Sequence, residues 1–197
     1  MKVGGSAINR LAQGLVAVLF LFAMARPARA AGKPAKLQAD EVVFDYGAQV
    51  LVATGNARLS YKEAVITADR IEIDMKRNTL VARGRVNLTE KEHSFSAEEL
   101  EYDLDSEEGR VGFFSGRLVN EGAEGAIYFS GEALEQSGEV ITARDLFLTT
   151  CDREGPHYHF TAAEIEYHPK DRLILRRVYY WEGHLRLFYL PYLAFTL

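Results

Sequence analysis

Ile66-Thr67-Ala68-Asp69-Arg70-Ile71-Glu72-Ile73-Asp74 is the stretch on which the fold of this chain turns, because the chain repeats it. Leu37-Gln38-Ala39-Asp40-Glu41-Val42 with Phe44-Asp45 comes before it. Phe95-Ser96-Ala97-Glu98-Glu99-Leu100-Glu101-Tyr102-Asp103, Phe129-Ser130-Gly131-Glu132-Ala133-Leu134-Glu135 and Phe160-Thr161-Ala162-Ala163-Glu164-Ile165-Glu166-Tyr167 come after. The small third residue falls at Ala39, Ala68, Ala97, Gly131 and Ala162, at gaps of 29, 29, 34 and 31. A period in that range marks a stacked repeat in which one supersecondary unit buries its apolar face only against the next.

Each unit has a second half of period-two alternation: Leu51, Ala53, Gly55, Ala57 and Leu59; Leu80, Ala82, Gly84, Val86 and Leu88; Gly112, Phe114, Gly116 and Leu118; Ile141, Ala143, Asp145, Phe147 and Thr149; Leu173, Leu175, Arg177, Tyr179 and Trp181. Alternation of this kind reads as strands with one buried face. Turn residues separate the halves, as at Tyr46-Gly47, Lys76-Arg77-Asn78 and Ser106-Glu107-Glu108-Gly109. The repeat also reads Lys91 to Leu104 as strand despite its glutamates, since its equivalents carry Ile-Glu-Ile and Ile-Glu-Tyr. The expectation is an all-β fold of about five units, each two short strands and a turn. Gly55, Gly84 and Gly116 stand at one strand phase, where a glycine permits a bend. The predicted shape is a sheet folded into a V-shaped β-jellyroll, small residues at the crease and larger ones around it. Whether its interior is a packed core or an open groove is left open by the residues.

The first thirty residues read differently. Lys2 and Arg10 precede the apolar run Leu15 to Met24, and Ala28-Arg29-Ala30 follows as a small-x-small cleavage site. These are the three parts of a secretory signal peptide. Without their four cations the formal charge moves from -5 to -9. An acidic chain lacks the basic footprint of a nucleic-acid binder. Domain boundaries are accordingly placed at 1–30 (signal peptide), 31–185 (repeated β domain) and 186–197, an aromatic and apolar segment.

Candidate chemistry is sparse. His157 and His159 follow the single Cys151, and on a strand residues two apart face one side. No further ligands at firm spacing complete a metal site. Asp40, Asp69, Glu98 and Glu132 recur with the repeat, which suits a structural task better than catalysis. There is no nucleophile elbow, phosphate loop or dinucleotide fingerprint. The expectation is no enzyme, no metal and no cofactor. A lone cysteine in an exported chain points to a partner thiol elsewhere or to a free thiol.

The Ala-Asp-x-Ile-x-Ile repeats, with Gly55-Asn56-Ala57-Arg58-Leu59, resemble the OstA-type domain of lipopolysaccharide transport proteins. Leu148-Thr149-Thr150-Cys151-Asp152 with Pro156-His157-Tyr158, and Leu187-Phe188-Tyr189-Leu190-Pro191-Tyr192-Leu193, are similar to the N-terminal region of the LPS-assembly protein LptD family. The likeness spans about residues 36–197. It implies a periplasmic β-jellyroll, associated with the outer membrane, that holds lipid A acyl chains of lipopolysaccharide in its interior. It implies pairing with another OstA-type jellyroll through an edge strand, and an intermolecular disulfide from Cys151 to a cysteine of a barrel. The chain ends where the family's barrel would begin, so the barrel would be a separate segment, or the chain a fragment or a shortened relative. The alternative is a periplasmic edge-to-edge scaffold that binds no lipid. The lipid-groove candidates are Leu51, Leu80, Val86, Leu88, Phe114, Leu118, Phe147, Leu173 and Tyr179 from the alternating halves. Ile71, Ile73, Leu100, Tyr102, Ile165 and Tyr167 come from the others.

Overall fold

The structure is a computed structural model that describes residues 35–61, 64–90, 93–119, 126–168 and 171–196. The signal peptide expected over 1–30 lies outside the described residues. Twelve strands follow one another: β1 (Lys36–Gln38), β2 (Glu41–Asp45), β3 (Val50–Tyr61), β4 (Ala64–Asp74), β5 (Thr79–Glu90), β6 (His93–Asp103), β7 (Glu108–Val119), β8 (Ala126–Ser137), β9 (Val140–Thr149), β10 (Tyr158–His168), β11 (Arg172–Glu182) and β12 (Leu185–Thr196). No helix occurs among the described residues. From β3 to β12 every strand pairs antiparallel with its sequence neighbours in one sheet. β1 and β2 both pair with β3, on its two halves, so they act as one strand interrupted at Ala39-Asp40.

The repeat is therefore a hairpin, as the alternation predicts, but the strands from β3 onward are long, at 10–12 residues. They are long because they bend in the middle instead of ending there. Gly55 and Asn56 in β3, Gly84 and Arg85 in β5, Phe113 in β7, Asp145 in β9 and Arg177 in β11 all have positive φ, from 35° to 76°. In β3 and β5 the pair of left-handed residues faces one residue of the next strand, Asp69 and Glu98 respectively, as a β-bulge. A row of such kinks across the sheet creases it into two arms. Inner-face residues beside the crease, such as Ala53, Ala57, Ala82 and Ile71, are 0 % exposed. No helix or second sheet among the described residues covers that face, so the sheet covers itself.

The recurring acids have their place here. The Asp40 amide donates to the Gly55 carbonyl (2.9 Å), and Asn56 Nδ2 donates to Asp40 Oδ2 (2.9 Å). One period later, Arg85 Nε donates to Asp69 Oδ1 (2.9 Å). Each carboxylate lies against its glycine: a Cβ on Gly55 or Gly84 would sit 2.5 Å from the Asp40 or Asp69 Oδ2. Gly116 does not belong to this series. Its φ is not positive, and β7 bends at Phe113. Gly116 and Gly131 instead lie opposite Phe129 and Phe114, and a Cβ on either would meet that ring at 2.1 or 2.6 Å. These glycines let Phe95, Phe114 and Phe129 cluster with centroids 5.8–6.4 Å apart.

The turns repeat as well. Asp45, Asp74 and Asp103 each accept two backbone N–H groups from the following turn, Gly47 and Ala48 in the first case, at 2.8 and 2.9 Å. Gln49, Asn78 and Glu107 close those turns in the left-handed region. On the outer face of this arm, arginines on odd strands alternate with acids on even ones. Arg83 meets Glu99 (2.5 Å), Arg110 lies opposite Glu101 and Glu135, Arg144 meets Glu135 (3.2 Å), and Arg176 meets Glu164 (2.6 Å). Exposed pairs of this kind contribute under about 1 kcal/mol each, but a slipped register would bring like charges together.

Gly84→Ala is expected to destabilise the fold by about 1–3 kcal/mol, because it forces an alanine into the left-handed region against Asp69. Gly112→Ala has nothing within 4 Å of the new Cβ and serves as the neutral control in thermal unfolding. The Arg85 hydrogen bond holds the Asp69 carboxyl below its ordinary value of 3.8. A carboxyl depressed in the folded state stabilises it above the unfolded value and loses that contribution as pH falls through the folded one. Acid titration of stability below about pH 4 should be shallower in Asp69→Asn than in the parent.

Candidate lipid-binding interior

Cross-strand partners share a face, and the crease changes which residues those are. On β9 the inner residues are Ile141 and Ala143 before the bend at Asp145, then Leu146 and Leu148 after it, all at most 6 % exposed. On β11 they are Leu173 and Leu175 before Arg177, then Val178. The single left-handed residue advances the inward phase by one, so the step across the crease is three residues instead of two.

The interior is one continuous apolar cluster that runs from Ala53 to Val178. Of the predicted lining residues, Ile71, Val86, Leu88, Leu100, Tyr102, Phe114, Ile165, Tyr167 and Leu173 belong to it, all at most 9 % exposed. Ile73 and Leu80 are half-buried and packed against it, and Leu51 is half-buried opposite Ile73. The side chain of Leu118 lies outside the described residues. Phe147 and Tyr179 are corrections. Both stand past a bend, so strict alternation assigns them to the wrong face. Leu146, Leu148, Val178 and Tyr180 occupy the inner positions instead, and Leu134, Phe95 and Phe129 complete the lining. The available signal was the three-residue apolar step Ala143 to Leu146 and Leu175 to Val178.

Phe147 and Tyr179 build an aromatic surface on the outer side. His159 stacks between Phe147 (4.7 Å) and Trp181 (5.6 Å, planes 8° apart), and Trp181 Nε1 donates to Thr161 Oγ1 (3.0 Å). Tyr179 packs on Tyr189 (4.7 Å), and the Arg186 guanidinium sits 4.8 Å over the Tyr179 ring. Burial, then the neighbouring His184, holds His159 below its ordinary 6.5. His157 turns elsewhere. Its Nε2 faces Arg153 Nη1 at 3.1 Å and its Nδ1 lies 3.7 Å from Cys151 Sγ. An arginine can only donate, so Nε2 accepts and the imidazole proton sits on Nδ1, toward the thiol. The two histidines thus do not converge, and no group of three metal-ligating side chains occurs among the described residues. Cys151 is half-buried and free.

Among the described residues, both ends of the sheet are unpaired edges. β12 exposes Leu185, Leu187, Phe188, Tyr189 and Tyr192, each 46–69 % accessible, and Pro191 interrupts its hydrogen-bonding pattern opposite the β11 bend. The aromatic and apolar segment read from the sequence at 186–197 falls in β12, which is hydrogen-bonded to β11. β2 at the opposite end exposes Val42 and Val43.

No protein-family model and no curated protein matches this chain. Among solved structures, similarity is found to LptH, the LptA homologous periplasmic component of the conserved lipopolysaccharide transport device from Pseudomonas aeruginosa. Identity is 12 %, the TM-score 0.32, and the match covers 68 % of this chain and 76 % of that one. So loose a superposition decides neither fold nor function, and the all-β architecture stands on the chain's own strand pairing.

Ile71→Ala, at a fully buried site beside the crease, should cost about 2–5 kcal/mol in chemical denaturation. Phe147→Ala, on the outer face, should cost less than half as much. Since His159 is held neutral, stability should decline as pH falls below 6.5, where the unfolded chain takes up the proton first. His159→Phe should flatten that decline between pH 7 and pH 5.

Proposed function

We propose that this chain is a periplasmic lipopolysaccharide carrier whose folded sheet holds lipid A acyl chains between its arms. The observation that carries the reading is the continuous apolar interior of a sheet that closes only on itself. Transfer of one methylene from water to such an interior gains about 0.8 kcal/mol, so a fourteen-carbon chain gains on the order of 10 kcal/mol. No specific chemistry is needed to hold it. The described arms share no strand pairing across the fold, because β1 and β2 pair only with β3 and from β3 to β12 every hydrogen-bonded neighbour is a sequence neighbour. Parting them to admit a chain breaks side-chain contacts but no ladder hydrogen bonds. The small residues and left-handed kinks at the crease supply the hinge. The acidic exterior keeps phosphates outside.

The exposed β12 edge supports a second element of the same reading, strand addition to another OstA-type jellyroll or to a barrel segment at the outer membrane. Cys151, beside the aromatic end of the sheet, is proposed as the thiol that would fix such a contact as a disulfide. A scaffold that only pairs edge to edge would use the same strand and leave the interior dry.

The test is a photo-crosslinking amino acid at Leu88, with purified lipopolysaccharide as the probe. Crosslinking is expected in the parent. Leu80→Arg, half-buried near the turns, should abolish it while the β-sheet circular dichroism is kept. A folded protein that never crosslinks would leave only the scaffold.

A further inference from the structure

Among the described residues two buried side-chain atoms lack a hydrogen-bond partner: His159 Nδ1, on the outer aromatic surface, and Gln136 Oε1, in the apolar interior. Gln136 lies at the turn end of β8, is 6 % exposed, and points inward between Gly109 of β7 and Ile141 of β9. Its Nε2 donates to the Gly138 carbonyl at 2.9 Å, which fixes the amide orientation. Its Oε1 is buried and accepts no hydrogen bond from the described residues. Buried acceptors are nearly always satisfied, and every other side chain buried on this face near it is apolar or aromatic. The same inner row carries the buried Tyr102, two strands away on β6, and Tyr167, two strands away on β10. This row brings oxygen as well as carbon to the lining, from the Gln136 amide and the Tyr102 and Tyr167 hydroxyls.

We propose that Gln136 Oε1 is a ligand-reading acceptor, and that the interior takes long apolar chains that carry a hydroxyl group. The proposal rests on the reading of the interior as an acyl-chain site and names which chains it prefers. A donor is required, because Oε1 can only accept. An amide N–H would bring a carbonyl with it, a second polar group to be buried, and one of the two Gln136 Nε2 hydrogens is already given to Gly138. A hydroxyl brings no such carbonyl. A plain hydrocarbon placed there leaves Oε1 buried and unpaired, so the site discriminates by penalising the chain that lacks the group.

The experiment is displacement of a hydrophobic fluorophore from the intact chain by tetradecanoate and by its 2-, 3- and 12-hydroxy derivatives. All four share one carboxylate and one length, so repulsion from the acidic surface cancels. At least one hydroxylated chain should bind about five- to tenfold tighter than tetradecanoate, the worth of one net hydrogen bond. In Gln136→Leu and Gln136→Met that preference should vanish while tetradecanoate binds at least as well as in the parent. Thermal melts confirm that the variants are folded, and should both fail, the four-chain comparison in the parent decides. Equal affinity for all four chains overturns the proposal and leaves the carrier reading standing, as does a preference that survives both substitutions. Displacement by none of them overturns both.

Discussion

The fold depends on a kink that L-residues resist. A sheet twists freely but creases only where the backbone enters the left-handed region or a bulge adds a residue. This protein places such residues in every odd strand from β3 to β11, in line across the sheet. In the first two repeats the strain is met by glycine and by a carboxylate that lies on the glycine's vacant side, as Asp40 does on Gly55 and Asp69 on Gly84. Later bends at Phe113, Asp145 and Arg177 use a single left-handed residue and no glycine at that position.

From the crease follows the interior. Alanines crowd the fold line, where the arms approach most closely, and leucine, valine, isoleucine and phenylalanine fill the wider space beyond it. Gly116 and Gly131 serve a different need, as they make room for the Phe129 and Phe114 rings opposite them. The outer face of one arm is fixed by alternating arginines and acids, which contribute little energy singly but penalise a register slip. The two sheet edges are left without such protection. An exposed edge strand rich in leucine and tyrosine is an aggregation hazard unless something pairs with it, and β12 is of that kind.

Much of this was legible in the residues. The period, the two strands per unit, the crease at Gly55 and Gly84, and the acids as structural groups all follow from position and composition. The turn carboxylates Asp45, Asp74 and Asp103 recur at the same interval and could have been read from it. The lining was legible up to the crease: Ile71, Leu80, Val86 and Leu100 are inward as alternation requires. Beyond the bends of β9 and β11 it misassigned Phe147 and Tyr179, because alternation assumes an unbroken strand. The resemblance to lipopolysaccharide transport domains came from short motifs and supplies the ligand class proposed for the interior.

The sequence by itself determined that this is a repeated antiparallel sheet with one apolar face, because a period of two within a period near thirty admits little else. Tertiary structure decided which residues face inward after each bend, since a single left-handed residue shifts the phase for the rest of its strand. It decided how deeply each residue of the apolar face is buried, since burial depends on what the folded sheet brings near it. It also set the buried Gln136 among apolar neighbours, a placement that no local pattern around residue 136 reveals.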